Sequence, residues 1–227
     1  MKLWYVIAGA GLLLLMGKKK ASAATVVGMR RGDPRPFLPL IHEATNRHVE
    51  LRDRPEVYVG LLDQESAFDP AIVSGTRRSP TGALGIAQFT TIGGDEVRRL
   101  MDMKTWSDRF SDNVTLTNKL KNFRKEPDAT DVPIAIHAGA LFLSSLIKKW
   151  KGNVEAALTD YNAGGKAAKI VADAGSHAAA KSMLENLPAN QKSQSPVYAP
   201  EVLAKAESFK QQGMAGISGD MRYVKVV

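Results

Sequence analysis

Residues Gln64–Pro70 read Gln-Glu-Ser-Ala-Phe-Asp-Pro. In this stretch the carboxylate of Glu65 lies at the end of an apolar run. Tyr58, Leu62 and Glu65 fall at i, i+4 and i+7, so a helix places the acid at the end of its apolar face. An acid so placed is partly desolvated, and its pKa rises toward the range that a general acid needs. Taken alone, a glutamate at a helix end is more often a surface or salt-bridged residue.

The bounds of this helix are predicted from its flanking residues. Asp53 is a suitable N-cap, and Pro55 suits the first turn, where its missing N–H costs little. Asp69-Pro70 predicts a turn that ends the helix, because proline disfavours helical conformation in the residue before it.

Two further segments carry polar groups suited to a sugar. Residues Gly82–Gln88 read Gly-Ala-Leu-Gly-Ile-Ala-Gln, and the Gln88 amide offers both a donor and an acceptor. Tyr161-Asn162-Ala163-Gly164 follows a helix predicted over Asn153–Asp160, with Asn153 as its N-cap. Taken alone, the first segment fits an ordinary turn leading into a helix, and the second fits a helix C-cap with a packed tyrosine.

In this order the segments resemble the two signatures of the soluble lytic transglycosylase family, over roughly residues 36–209. The first signature matches at Glu65-Ser66, Phe68, Pro70, Ser74 and, about five residues late, Gly82–Gln88. The extra residues lie within Gly75–Ser79. Also in the first signature, Thr91 stands three residues after Gln88, where the family usually has a proline. In the second signature Asp160 replaces the family's alanine before Tyr161-Asn162.

The resemblance implies a mostly α, lysozyme-like fold of the goose-type lysozyme and SLT kind, with a substrate cleft. It implies cleavage of the MurNAc–GlcNAc bond of peptidoglycan by one glutamate, which acts first as acid and then as base and leaves a 1,6-anhydro-muramyl end. Glu65 would be that glutamate, and the substrate-binding residues would be Ser74, Gln88, Tyr161, Asn162 and Tyr198. No cofactor is implied.

Two other function classes stay open. A second carboxylate beside Glu65 would orient a water and make the protein a lysozyme-type hydrolase, as in two-carboxylate glycosidases. Asp160, Asp95 and Asp69 are the candidates, although for Asp160 we expect instead a solvated position on the polar side of its helix. The third class is a non-catalytic virion or scaffold protein that retains the fold, which the intact Glu65-Ser66 pair disfavours.

Composition limits the partners. A chain of 227 residues can bury one sizeable core, and its formal charge of +8 favours polyanions such as the cell wall, a membrane surface or nucleic acid. Its basic residues are scattered and carry no nucleic-acid-binding motif, so specific nucleic-acid binding is not expected. There is no cysteine, and the four histidines lack metal-ligand spacing, so no metal site is predicted.

The N-terminus carries an uncharged run, Leu3–Met16, followed by Lys18-Lys19-Lys20. At about 1.5 Å per residue the run spans roughly 21 Å, short of a hydrocarbon core of about 30 Å. Three interpretations of residues 1–20 compete: a membrane anchor, a cleaved signal peptide and a core helix. We prefer the membrane anchor. The lysine triplet resists translocation and so disfavours cleavage of a signal peptide, and a core helix is the least favoured. We therefore expect the protein at the cell envelope, in a phage particle or a secretion apparatus. The lysine triplet on its C-terminal side would keep the following domain cytoplasmic.

The rest of the chain divides into a linker over 21–36, a transglycosylase-like domain over 37–212 and a C-terminal arm over 213–227. Within the domain, Asp131 and Pro133 predict the start of a long helix. The alanine-rich segment 167–187 predicts another helix. The polar segment 188–196 predicts a loop, and Pro200 is expected to open a last helix to about Gln212.

Overall fold

The computed structural model describes residues 31–80, 82–188 and 195–214. Within these ranges the regular structure is helical, apart from an isolated antiparallel bridge between Leu84 and Phe89. The prediction of a mostly α fold is therefore confirmed. The predicted membrane anchor over 1–20, most of the predicted linker and nearly all of the predicted C-terminal arm lie outside the described residues.

The α-helices, numbered in chain order, are α1 Leu38–Asn46, α2 Val49–Arg52, α3 Pro55–Ser66, α4 Pro70–Val73, α5 Thr91–Asp102, α6 Lys104–Ser107, α7 Val114–Lys121, α8 Lys125–Asp128, α9 Val132–Lys149, α10 Val154–Ala163, α11 Gly165–Ala174, α12 His177–Glu185 and α13 Ser195–Gln211. Single 3-10 turns cover Arg35–Phe37 and Asp108–Phe110.

The longest helix, α9, lies at the centre of the core and packs against α1, α5 and α10. Asp131 caps it by accepting a hydrogen bond from the Ile134 amide at 3.5 Å, as predicted. Among the described helices, α9 alone is long and apolar enough to cross a membrane, and 72% of it is buried inside the fold. Its apolar character is thus accounted for by its place in the core.

The most extensive helix contact joins α3 to the last helix, α13. The two helices approach closely at Gly60, where an added Cβ would lie 2.5 Å from the Val202 carbonyl oxygen. Glycine is required there because any side chain would meet the backbone of α13. This contact places the C-terminal end of α3 beside residues that come more than a hundred positions later in the sequence.

Several predicted helix bounds need correction. Arg54, not Asp53, occupies the N-cap position of α3, and it makes no side-chain cap bond. The alanine-rich segment forms two helices, because Gly175 takes a left-handed conformation and Ser176 caps α12. The last helix starts at Ser195 and holds Pro200 inside it, since Pro196 already takes the early position that suits proline.

Candidate functional site

Glu65 lies in the last turn of α3, at the end of its buried face. Tyr58 and Leu62 on the same face are fully buried, while the Glu65 side chain is half-buried. Burial raises the pKa of Glu65 to about 7, and a hydrogen bond from Tyr198 and the positive charge of Lys205 act in the opposite direction. The sequence-based expectation of a raised pKa is therefore confirmed, and desolvation is its main cause.

The turn after Glu65 is held by Ser66. The buried Ser66 hydroxyl donates to the Leu62 carbonyl oxygen at 2.9 Å and accepts from the Phe68 amide at 3.1 Å. These bonds stabilise two successive left-handed residues, Ala67 and Phe68, with φ of 49° and 46°. The chain thus leaves α3 at Ser66, whereas Asp69 caps the next helix by accepting from the Ala71 amide. Ser66 therefore shapes the backbone around the acid.

Tyr198 comes from the first turn of α13 and donates its hydroxyl to Oε1 of Glu65. The tyrosine is 2% exposed, and burial together with the nearby Glu65 raises its pKa well above the ordinary value. Tyr198 therefore stays protonated and serves as a hydrogen-bond donor. The structure thus brings this predicted site residue into direct contact with the predicted acid.

The glycine-containing segment forms a compact loop beside α10. The Leu84–Phe89 bridge closes the loop, and Gly85 is required because its φ is 74° and an added Cβ would lie 1.7 Å from the Ala129 carbonyl oxygen. Gln88 also has a positive φ, of 48°, and its amide donates to the Gly85 carbonyl oxygen at 2.8 Å. The donor end of Gln88 is therefore engaged within the loop.

Tyr161 connects this loop to the acid. Its hydroxyl donates to the Ala87 carbonyl oxygen at 2.9 Å, and the negative charge of Glu65 contributes to raising its pKa. Tyr161 and Asn162 lie in the last turn of α10, which runs past the predicted end at Asp160 to Ala163. Asn162 Oδ1 is buried and has no hydrogen-bond partner among the described residues, which leaves an acceptor for a ligand.

Ser74 is placed differently. Its hydroxyl lies 3.1 Å from Thr76 Oγ1 and 3.4 Å from the Ala71 carbonyl oxygen, within its own loop. The neighbouring insertion is fixed by Arg77, which donates to Asp69 at 2.9 Å, and by Arg78, which donates to Glu126 at 2.6 Å. The described contacts do not join Ser74 to Glu65, so its substrate-binding role stays a prediction.

The aspartates considered as second carboxylates are engaged elsewhere. Asp160 accepts from Lys149 Nζ at 2.7 Å and Trp150 Nε1 at 2.8 Å, and its side chain is only 8% exposed. The expectation of a solvated Asp160 was wrong, because the exposed Lys149 and the half-buried Trp150 at the end of α9 both donate to its carboxylate. Asp69 pairs with Arg77, and Asp95 pairs with Arg98 on its own helix. The groups that shift the Glu65 pKa include no aspartate.

Two charged residues beside the acid, Asp63 and Lys205, were not predicted from the sequence. Lys205 Nζ lies 2.8 Å from Asp63 Oδ2, next to the acid. The available signal was the spacing of Tyr198, Glu201 and Lys205, which share one face of a helix at i, i+3 and i+7. The described residues hold no cluster of histidine, cysteine, aspartate or glutamate that could bind a metal ion.

Among solved structures, one similar to this chain is an inactive mutant of the lytic transglycosylase Slt from Pseudomonas aeruginosa, with 21% identity and a TM-score of 0.46. The match covers 81% of this chain and 26% of that one, so this chain spans about a quarter of that protein. No curated protein sequence matches. The model of the transglycosylase SLT domain family matches residues 43–183, and the chain belongs to that family.

Proposed function

We propose that the protein is a peptidoglycan lytic transglycosylase with Glu65 as its acid and base. The observation that carries the proposal is the half-buried Glu65, whose pKa of about 7 leaves both protonation states populated near neutral pH. Membership of the transglycosylase SLT domain family supports the same reaction class. A single group that must first give and then take a proton works best with such a pKa.

In the proposed reaction, protonated Glu65 gives its proton to the glycosidic oxygen as the bond from that oxygen to the muramyl C1 breaks. The resulting carboxylate takes the proton of the muramyl C6 hydroxyl, whose oxygen forms the new bond to C1. Glu65 is protonated again, and no water is consumed. This scheme needs no second carboxylate, unlike that of most glycosidases. The engagement of Asp160, Asp69 and Asp95 in other ion pairs is consistent with it.

The remaining site residues take positioning roles in this proposal. Tyr198 orients the carboxyl group of Glu65, and Asn162 offers its unpartnered carbonyl oxygen to a sugar hydroxyl or an N-acetyl N–H. Tyr161 fixes the glycine-containing loop from which Gln88 would contact the glycan. Ser74, in the loop that follows α4, is proposed to contact the substrate as well.

The test is mass spectrometry of purified peptidoglycan after digestion with the full chain. We expect muropeptides with 1,6-anhydro ends from the native protein and none from Glu65→Gln. Glu56→Gln, a matched change on the same helix, should leave the product and the rate unchanged. Products heavier by one water would show a hydrolase, and equal cleavage by Glu65→Gln would contradict the role of Glu65.

For the cellular setting, we propose that residues 1–20 anchor the protein to a membrane through the uncharged run at residues 3–16. Residues 21–36 would then link the anchor to a catalytic domain over 37–212, and residues 213–227 would form a C-terminal arm. Local opening of the cell wall by a phage particle or a secretion apparatus fits such an anchored enzyme. Cell fractionation tests the anchor. The full chain should sediment with membranes, and deletion of residues 3–16 should move it to the supernatant.

A further inference from the structure

An open cavity of about 410 Å³ lies between α5, α6 and α9. Leu100, Trp106 and Leu146 form its apolar floor, and each is at most 6% exposed. Met103, which also lines the cavity, is 42% exposed. A concave apolar surface that stays open to solvent is a candidate binding site, and none of these four residues takes part in the reaction proposed above.

One side of α9 joins the candidate active site to this cavity. Four residues of the helix follow one another at i, i+3, i+7 and i+10 and therefore share that side: Gly139, Phe142, Leu146 and Lys149. At the first of them, an added Cβ would lie 3.1 Å from Ala87 Cβ in the glycine-containing loop. The Phe142 ring packs on the Tyr161 ring with centroids 5.1 Å apart. Leu146 and Lys149 line the cavity. At about 1.5 Å per residue this row is roughly 15 Å long, so a substrate that extends past Tyr161 along α9 reaches the cavity.

The charged side chains that line the cavity are mainly basic. Among the described residues they are Glu96, Arg99, Lys148 and Lys149. Arg99 and Glu96 form an ion pair at 2.6 Å, so their charges offset each other. Lys149 pairs with Asp160 at 2.7 Å.

Among the described cations of the cavity, Lys148 is the one without a carboxylate partner within ion-pair distance. Its Nζ lies over the Trp106 ring, 5.2 Å from the ring centroid. Arg109 lies over the same ring at 4.2 Å, but its charge is met by Glu50 at 2.7 Å. A ring face attracts a cation without neutralising it, so Lys148 can also attract an anionic ligand.

We propose that this cavity binds the peptide stem of peptidoglycan, an anionic peptide attached to the muramyl sugar, while the glycan lies across Glu65. The proposal rests on the proposed function, which supplies the substrate, and adds a second binding site to it. The alanine methyl groups of the stem fit the apolar floor, and its free carboxylates fit Lys148. The sugar rings of the glycan carry no charge, so they would gain nothing from this cation.

The first experiment compares kcat/KM of the full chain for two substrates: peptidoglycan that carries its stems, and the same glycan after an amidase has removed them. Lys148→Glu should lower kcat/KM for the stem-bearing substrate by roughly 3- to 10-fold, as when a repulsive charge pair replaces an attractive one at a partly exposed site. The value for the stripped glycan should stay unchanged. Thr105→Lys adds a cation to the same cavity and should act in the opposite direction. Lys210→Glu makes the same charge change at an exposed position of α13 and should alter neither value.

The second experiment needs no cleavage. The full chain, labelled with ¹⁵N, is titrated with the N-acetylated stem peptide L-Ala-γ-D-Glu-meso-diaminopimelyl-D-Ala, and the NMR signal of the Trp106 indole N–H is followed, with Trp106→Phe assigning it. We expect a saturable shift of this signal in the native protein and a much weaker one in Lys148→Glu.

Two outcomes would overturn the proposal. One is a Trp106 signal that does not respond to the peptide. The other is a Lys148→Glu variant whose kcat/KM changes by the same factor for both substrates, since the cavity would then hold the glycan or act only on the fold. If the native protein cleaves nothing, the proposed function fails while the peptide titration still decides whether the cavity binds the stem.

Discussion

At the residue scale, the contact between Tyr198 and Glu65 gives a prediction for the tyrosine hydroxyl. In the native protein the Tyr198 hydrogen bond orients the carboxyl group of Glu65 and lowers its pKa. Tyr198→Phe removes this bond, so the pKa of Glu65 should rise. We expect peptidoglycan cleavage to fall by about 10- to 100-fold, as for misplacement of a catalytic group by about 1 Å. Cleavage activity falls as pH rises through the pKa of Glu65, because the acid step needs its proton. This falling limb of the pH profile should move to higher pH in Tyr198→Phe, because the carboxylate has lost a hydrogen-bond donor.

The matched control is Tyr58→Phe. The Tyr58 hydroxyl is also buried, but it donates to the Ile136 carbonyl oxygen at 2.6 Å and does not contact Glu65. Its loss should reduce the free energy of unfolding by about 1 kcal/mol and leave the pH limb in place. If both tyrosine variants shift the pH limb equally, Tyr198 has no specific role.

Glu65 itself should reduce stability at high pH. Its pKa rises from 4.5 to about 7 on folding, so the stability that its protonation supplies is present below pH 4.5 and is lost as pH rises through 7. The difference corresponds to about 3 kcal/mol at 1.36 kcal/mol per pH unit, and partial exposure reduces it to about 1–2 kcal/mol. Glu65→Gln should therefore raise the free energy of unfolding by about 1–2 kcal/mol at pH 8 and by little at pH 4.

Urea denaturation at the two pH values measures this difference. An equal effect of Glu65→Gln at pH 4 and pH 8 would show that ionisation of Glu65 carries no cost in the folded protein.

How far the site could be predicted depends on the range of the interaction. Glu65 could be singled out as the candidate acid because the motif around it is local, although its helical spacing alone more often indicates a surface glutamate. Tyr198 was found only through the family resemblance, because nothing local shows that it contacts a residue 133 positions away. The pairing of Asp160 with Lys149 and Trp150 was missed for the same reason, as it depends on how α9 and α10 pack.

At the element scale, the packing of α3 on α13 predicts the effect of a single methyl group. In Gly60→Ala the new Cβ would lie 2.5 Å from the Val202 carbonyl oxygen and 2.9 Å from the Ala206 amide nitrogen. Backbone atoms cannot move aside like a flexible side chain, so we expect a loss of about 1–3 kcal/mol in the free energy of unfolding. Cleavage activity should also fall, because Tyr198 moves with α13.

Gly94→Ala is the matched control for this prediction. Gly94 is also helical, but its added Cβ would meet only ordinary contacts, with the nearest atom on the Phe123 ring at 3.4 Å. Alanine favours helix over glycine by up to about 1 kcal/mol, so this variant should be as stable as the native protein or more so. Thermal unfolding of both variants tests the comparison, and equal loss in the two would contradict the backbone clash.

Helix starts were predictable where a short polar side chain caps a proline-led or apolar run, as at Asp131 and Asn153. The predictions of helix bounds failed where tertiary packing set those bounds. Two prolines, at 196 and 200, each suited the start of α13, and the sequence alone did not distinguish them. The early end of α3 at Ser66 depends on two residues with positive φ that carry no glycine signal.

At the scale of the whole molecule, buried histidines set the response to acid. Burial lowers the pKa of His48 to about 3 and that of His137 to about 4, and Arg109, 3.1 Å from His48 Nδ1, adds to the shift of His48. The neutral form is favoured by folding. The stability it supplies is therefore present above pH 6.5, the ordinary histidine value, and is lost as pH falls from 6.5 toward 4.

We expect the thermal unfolding midpoint to fall over that interval. His48→Phe keeps a ring beside Trp106 and Phe110 but cannot be protonated, so it should flatten the slope whatever its effect on the midpoint itself. Glu65 acts in the opposite direction between about pH 4.5 and 7, so Glu65→Gln should steepen the slope. A slope unchanged in both variants would contradict the assignment of these groups.

The separation of Glu65 and Tyr198 in the chain also orders events during synthesis. A ribosome that has translated α1–α12 has made the acid but not its hydrogen-bond donor, which emerges only with α13. A nascent chain, or one cut between α12 and α13, would hold a glutamate without the partner that orients it. If Glu65 is the acid of a wall-cleaving enzyme, its full activity would therefore be reached only after α13 has been made and has packed on α3.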